Sequence, residues 1–353
     1  MNLTIAAAAV VLPCEELPPM TDFLVEELGF QLVRISPADD PRLARFTGFG
    51  IAIEVRRGFD GAPGTLQLTY AGSSEPPEPR VAPNGTRVEF VPRDRVQELP
   101  ALVPELVISR TGDPAAWGLG RAGMQYRDLI PSRLGGRFIA SHIRIPKGGP
   151  VPDHVHFHAI RFQMIYCVRG WVRLAYEDQG PEFILREGDC VLQPALIRHR
   201  VLESSDGLEV VEIACPAEHD TFLDHEMELP NSVVNPEREF DGQVFTRHQA
   251  EGSTWGPGPM PGIEHRDLGI HAATRGLAKA LVLRPEAPSP APIPWRHEGE
   301  FLFGFLLAGS ATFVSADQTV HELKPGDSVV LPPMDECSLR DLSRDFELLE
   351  IAV

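Results

Sequence analysis

Side chains that can bind a metal ion are concentrated in and just after the stretch from Pro152 to Pro194. If the first part of this stretch is a β-strand, side chains alternate between its faces, so its three closely spaced histidines share one face. Several imidazoles with an amide nearby are the composition of a site for a divalent metal ion. The candidate ligands are His154, His156, His158, Gln163 and His199.

The composition limits the classes of function that these residues can serve. The net charge of −18 argues against a nucleic-acid partner, because binding phosphates needs a basic face. Five cysteines without CxxC spacing favour free thiols in a reducing cytoplasm. The apolar run Leu3–Leu12 has no preceding Lys or Arg, so we interpret it as a buried strand rather than a signal peptide. No stretch is long enough to span a membrane. The preference for Arg over Lys favours a bacterial gene of high GC content.

An internal repeat begins near Arg121 and predicts two domains of one fold. Its matching pieces are offset by 139 or 138 residues, so they stay in register with a single slip. They are Arg127-Asp128-Leu129 with Arg266-Asp267-Leu268, Gly170 with Gly309, Gly188-Asp189 with Gly326-Asp327, Pro194 with Pro332, and residues 208–214 with 346–352. Each copy consists of short apolar runs broken by Gly, Pro or Asp, which predicts a mainly β sandwich or barrel.

The first copy resembles the cupin superfamily. The pattern His-x-His, then Gln after seven residues, then Gly-Asp-x4-Pro-x4-His is similar to its two conserved motifs, which hold a divalent metal inside a small barrel. The resemblance implies that His154, His156 and His199 are ligands. Gln163 stands where the family usually has glutamate, so we expect it to be a weak neutral ligand at most.

Two nearby residues are candidates for catalytic roles. His158 shares the face of the other two histidines and could be a substitute ligand, a proton shuttle or a hydrogen-bond donor at the rim. Arg161 precedes Gln163 by two residues, so it projects to the same side, where its guanidinium suits a substrate carboxylate. The alternative for Arg161 is an ion pair with an acid at the end of the barrel.

The second copy lacks the ligand pattern. By offset, the ligand positions carry Ile293, Trp295, Leu302 and Cys337, and only His297 survives, at the position of His158. Since Ile, Trp and Leu cannot hold a divalent ion, we expect the second barrel to be metal-free.

Residues 1–72 are predicted to form a small α+β module in the order strand, helix, strand, strand, strand. The strands after the helix are predicted at Phe30–Ile35, Phe46–Arg56 and Thr65–Tyr70. The order resembles one βαβββ module of the glyoxalase/bleomycin-resistance superfamily, and we expect a structural or dimerisation role. The predicted domains are 1–72, a Pro-rich connector 73–120, a metal-binding barrel 121–216, a linker 217–262 and a metal-free barrel 263–353. The alternative for the linker, which contains His219 and His225, is a third segment of the metal site.

One metal-binding and one degenerate barrel is similar to the bicupin arrangement of gentisate- and salicylate-type ring-cleaving dioxygenases. The resemblance implies an Fe(II) dioxygenase that cleaves a C–C bond of a small anionic chelating acid. An isomerase or lyase acting on a sugar acid with Zn, Mn or Ni is the second hypothesis, and a non-enzymatic ligand-binding bicupin is the third. A homodimer is the expected assembly.

Overall fold

The chain folds into two compact units that divide between residues 97 and 98. The structure is a computed structural model, and it describes residues 5–71, 75, 77–93, 98–112, 117–120, 123–287 and 291–353. β-strands dominate both units, which confirms the mainly β fold class. None of the helices described in these ranges is long and apolar enough to cross a membrane.

The first unit contains a four-stranded sheet in the order β1-β4-β3-β2, in which β1 runs parallel to β4, and a three-stranded sheet in the order β5-β7-β6. Its elements are β1 (Val10–Cys14), α1 (Leu17–Asp22), a π-helical segment (Phe23–Glu27), β2 (Gln31–Ser36), β3 (Leu43–Gly48), β4 (Ile51–Arg57), β5 (Thr65–Tyr70), β6 (Arg80–Val81) and β7 (Arg87–Pro92). Leu12, Phe46 and Val55 lie in the core between the sheet and the helix.

The predicted order βαβββ is present, but its last strands differ from the prediction. The run Phe46–Arg56 is not one strand, because Phe49 and Gly50 both have positive φ and form a two-residue hairpin turn between β3 and β4. The predicted last strand, Thr65–Tyr70, instead pairs with β7. This unit therefore extends beyond the predicted boundary at residue 72.

The second unit contains two barrels, each made of two sheets. Its elements are β8 (Val107–Ser109), β9 (Trp117–Leu119), β10 (Gln125–Asp128), β11 (Ile139–Ile145), β12 (Gly149–Pro150), β13 (His156–His158), β14 (Phe162–Arg169), β15 (Trp171–Tyr176), β16 (Phe183–Arg186), β17 (Cys190–Leu192), β18 (His199–Ser204), β19 (Leu208–Cys215), β20 (Thr221–Leu223), β21 (Glu239–Phe240), β22 (Gln243–Val244), β23 (Thr246–His248), β24 (Gly256–Pro257), β25 (Ile263–Asp267), α2 (Ile270–Ala273), β26 (Lys279–Pro285), β27 (Ile293–Trp295), β28 (Leu302–Ala308), β29 (Ala311–Val314), β30 (Val320–Leu323), β31 (Ser328–Leu331), β32 (Cys337–Arg340) and β33 (Glu347–Ala352).

The two barrels have equivalent strand orders. The first combines β23-β17-β14-β19-β11-β10-β9 with β16-β15-β18-β13-β20, and the second combines β24-β25-β26-β33-β28-β31-β8 with β27-β32-β29-β30. Even the β-bulges correspond, since the register shifts between Cys167 and Arg169 in one barrel and between Leu306 and Ala308 in the other. The repeat seen in the sequence is therefore a repeat of the fold.

The segment that precedes each barrel in the chain adds an edge strand to the other barrel. Strand β8 comes before the first barrel but pairs with β31 of the second, and β23 comes before the second barrel but pairs with β17 of the first. The predicted connector and linker thus supply edge strands to the sheets. Between the barrels, Phe138 stacks on Phe301 with ring centroids 4.2 Å apart, within one continuous apolar core.

Candidate metal centre

Three histidines of the first barrel converge on one point. Strand β13 carries His156 and His158, and β18 begins with His199, which pairs directly with His156 across the two strands. One ring nitrogen from each histidine lies within 4.8 Å of the other two. Among the residues that the structure describes, this is the only such group of His, Cys, Asp and Glu side chains.

Hydrogen bonds to Nδ1 fix the orientation of these rings. Nδ1 of His156 and of His199 each donates to the backbone carbonyl two residues earlier, at 2.8 and 3.0 Å. Nδ1 of His158 bonds the hydroxyl of Thr221 at 2.9 Å. A carbonyl oxygen only accepts, so the proton of His156 and His199 sits on Nδ1 and the lone pair on Nε2. Such a bond on the opposite ring nitrogen is typical of metal-binding histidines.

The spacing of the rings fits one metal ion. Imidazole nitrogens bind first-row divalent ions at about 2.0 to 2.1 Å, so two nitrogens on the same ion lie about 3 to 4 Å apart. The ring centroids of His156 and His199 are 4.3 Å apart, and His158 lies 5.3 and 5.2 Å from them. Small rotations of the rings would bring the nitrogens onto a common ion.

His154 does not join this group, contrary to the expectation from the motif. Strand β13 begins only at His156, so the alternation that would place His154 on the same face does not extend to it. Its side chain is exposed and faces His225, with ring centroids 5.8 Å apart. His158 occupies the third place instead.

Gln163 lies in the same cavity, on β14, and its amide is already engaged. Its Nε2 donates to Oε1 of Glu212 at 2.5 Å. Glu212 lies on β19 opposite Ile165, diagonally across from Gln163. Sequence reasoning did not select Glu212 as a site residue. Glu212 follows Leu208 and Val210 at intervals of two residues along β19, and this spacing places all three side chains on the same face of the strand.

Arg161 is not among the side chains around the cavity. Its guanidinium forms two hydrogen bonds with the carboxylate of Glu300, at 3.0 and 3.2 Å, and Arg137 binds the same carboxylate. These contacts hold the pKa of Glu300 below its usual value, mainly through the bond from Arg161. Glu300 is the repeat equivalent of Arg161, so the pair joins equivalent points of the two barrels. The alternative of an ion pair is the one that the structure contains.

The three histidines line a largely apolar cavity of about 380 Å³. Among the described residues around it, none is Lys or Arg. Two of its polar groups, His219 and Thr221, come from the predicted linker, and Gln193 also lines it, accepting a bond from Tyr176 at 2.5 Å. The lining residues are Met124, Tyr126, Ile139, Ser141, Ile143, Ile145, His156, His158, Gln163, Ile165, Val172, Leu174, Gln193, His199, Val201, Leu208, Val210, Glu212, Ala214, His219 and Thr221.

The second barrel has different chemistry at the equivalent place. Trp295 pairs with Cys337 as His156 pairs with His199, so the equivalence by offset is confirmed. Nε1 of Trp295 donates at 2.7 Å to Glu350, the counterpart of Glu212. Burial raises the pKa of Glu350. Trp295 and Cys337 belong to an apolar cluster in this barrel.

Comparison with known proteins supports the cupin part of the resemblance. Residues 141–214 match the family model of the cupin domain. No curated protein sequence matches the chain significantly. The chain therefore contains a cupin domain, whereas no comparison confirms the glyoxalase-like resemblance of the first unit.

Several solved structures share the fold. A mutant salicylate 1,2-dioxygenase from Pseudoaminobacter salicylatoxidans, in complex with gentisate, is 15% identical, with a TM-score of 0.53 over 73% of this chain and 84% of its own. The Ylba protein from E. coli is 11% identical, with a TM-score of 0.51 over 73% and 94%. An oxalate decarboxylase from Bacillus subtilis is 14% identical, with a TM-score of 0.49 over 74% and 78%. At these identities the similarity to the first two structures concerns the fold alone.

Proposed function

We propose that this protein is a metal-dependent dioxygenase that binds Fe(II) through His156, His158 and His199 and cleaves a C–C bond of a small chelating molecule. The observation that carries the proposal is the convergence of three imidazole nitrogens within 4.8 Å in the lining of a largely apolar cavity. An assembly of this kind, with a cavity large enough for a small molecule, is typical of a catalytic centre rather than a structural one.

The residues of the chain would perform distinct tasks. The three imidazoles are neutral ligands, so they leave the full charge of the ion directed at the cavity. Bound Fe(II) would supply coordination sites for two substrate oxygens and for dioxygen. Gln163 is better suited to hold Glu212 than to act as a ligand, since its amide already donates to that carboxylate. The aliphatic walls would enclose the body of the substrate and exclude water.

The lining of the cavity favours a dioxygenase over a sugar-acid isomerase or lyase. A polyhydroxylated substrate needs a hydrogen-bond partner for each buried hydroxyl group, because an unpaired polar group is costly to bury. Ile143, Val172, Leu174, Val201 and Val210 offer none. A compact apolar molecule with two adjacent oxygen donors fits this surface better.

Oxygen consumption tests the proposal directly. The protein is purified without a metal-binding tag, its metal content is measured by mass spectrometry, and the iron-loaded form is titrated anaerobically with chelating compounds before oxygen is admitted. We expect oxygen uptake stoichiometric with cleaved product. Absence of uptake with every chelator that binds would refute the proposal, and equal turnover without oxygen would establish the isomerase or lyase instead. A ligand-binding protein without catalysis predicts that His156→Ala keeps its ligand affinity.

A further inference from the structure

Glu212 contributes a negative charge to the cavity that the three histidines also line. Among the described side chains that line the cavity it is the only carboxylate, and no described Lys or Arg accompanies it. Its carboxylate accepts a hydrogen bond from the amide of Gln163, a neutral donor. The guanidinium that the sequence suggested for binding a substrate carboxylate, Arg161, is engaged by Glu300.

From this arrangement we infer that Glu212 selects against carboxylic acids and that the substrate is a neutral molecule with two adjacent oxygen donors, one of them a hydroxyl group. This inference rests on the proposed function, because it needs a divalent ion at the three histidines.

The balance of charge supports this substrate class. A divalent ion and one carboxylate leave a single positive charge in the cavity. A hydroxy ketone that releases its hydroxyl proton to solvent binds as a monoanion and cancels that charge. A hydroxy acid that binds through both oxygens is a dianion, and it would leave a net negative charge among aliphatic side chains. Uncompensated charge in such surroundings is disfavoured, because aliphatic side chains do not solvate it.

The hydrogen-bonding capacity of the cavity points in the same direction. His219, the one further imidazole of the lining, has its Nδ1 directed at the backbone carbonyl of Pro216. Oε1 of Gln193 accepts from Tyr176 and its Nε2 lies 3.4 Å from Nε2 of His199, while Nε2 of Gln163 donates to Glu212. An ionised Glu212 only accepts hydrogen bonds. It can therefore accept a hydrogen bond from the hydroxyl group of an entering hydroxy ketone, before that group loses its proton, whereas a second carboxylate offers it no donor.

A pair of nearly isosteric probes tests this preference. Salicylate and 2-hydroxyacetophenone differ in that a carboxylate oxygen of the former is a methyl group in the latter. Binding of each is measured from the visible spectrum of the cobalt(II)-loaded protein, so the readout does not depend on oxygen or turnover. We expect 2-hydroxyacetophenone to bind at least about tenfold more tightly than salicylate, which is the scale of like-charge discrimination at a partly desolvated site.

The variant Glu212→Gln keeps the shape of the side chain and removes its charge. We expect it to reduce that ratio at least about tenfold, mainly by improving salicylate binding. Ser141→Ala is the matched control. Ser141 lies directly opposite Glu212 in the sheet and lines the same cavity, but its substitution removes no charge. Thermal unfolding checks that both variants are folded.

Each outcome has a defined meaning. Equal or tighter binding of salicylate by the unmodified protein overturns the inference, as does an unchanged ratio in Glu212→Gln or an equal shift in Ser141→Ala. These results leave the proposed metal site intact. Failure of the unmodified protein to bind cobalt(II) overturns the proposed function itself, and this inference with it.

Discussion

Exchanging His158 or His154 for alanine distinguishes the metal site of the structure from the one that the motif spacing predicts. Both side chains lie within five residues on one segment, and both are imidazoles, so each variant serves as the matched control of the other. The ring nitrogen of His158 lies within 4.8 Å of those of its two neighbours, whereas His154 faces His225 on the exposed side. We expect only His158→Ala to lose the metal.

The magnitude of this loss follows from the number of ligands. Removing a hydrogen-bond partner of a metal-binding histidine typically costs 10- to 100-fold in affinity, so removing one of three imidazoles should cost at least about 100-fold, or roughly 2.7 kcal/mol. His154→Ala should change affinity by less than about twofold, because its exposed ring faces His225 and is not part of the three-histidine group. Competition between the protein and a chromophoric chelator for cobalt(II) measures both values.

The reasoning is refuted by the reverse result. If His154→Ala loses the metal and His158→Ala keeps it, the loop before β13 must rearrange when the ion binds, and the spacing of the motif would be the better guide. If both variants keep the metal, the three-histidine site is not the binding site.

Three further variants test other parts of the structure. Arg161→Gln should lower the free energy of unfolding in urea by about 0.5 to 1 kcal/mol, because a partly exposed ion pair with Glu300 is lost, while metal content stays unchanged; loss of substrate affinity at unchanged stability would contradict this. Thr221→Val should weaken cobalt(II) binding about tenfold by removing the hydroxyl group that orients His158, and unchanged affinity would exclude that role. Glu350→Gln should abolish part of the pH dependence of stability: burial raises the folded-state pKa of this acid above its unfolded value near 4.5, so the folded form binds more protons and the free energy of unfolding falls as pH rises above that value. Thermal unfolding at several pH values should show that the stability of the variant declines less steeply with pH than that of the unmodified protein. Identical profiles would refute the raised pKa of Glu350.

Much of the architecture was predictable from the sequence, because the two copies of the repeat can be aligned with each other. The offset of 139 or 138 residues identified Trp295 and Cys337 as the counterparts of His156 and His199, and the pairing of β27 with β32 confirms it. Short β-rich runs between Gly, Pro and Asp predicted the barrels, since these residues supply the turns that strands of this length require. The composition also predicted free cysteines, and all five are free and buried.

Which residues belong to the site depended on where the strands begin and on which segments of the chain pair in the sheets. A spacing of two residues places side chains on one face only within a strand, and His154 lies before β13, so its spacing from His156 carried no information about its direction. Arg161 and Glu300 are 139 residues apart, and nothing local to either one predicts their ion pair. Glu212 and Gln163 likewise meet only because β14 and β19 are neighbours in the sheet.

By itself, then, the sequence determined the duplication, the β-rich class and the residue types available for binding a metal, because these depend on composition and on periodicity along the chain. Only the tertiary structure decided that His158 rather than His154 completes the group, that Arg161 joins the two barrels, and that a carboxylate shares the cavity. Those outcomes depend on contacts between strands distant in sequence, and no local pattern specifies such contacts.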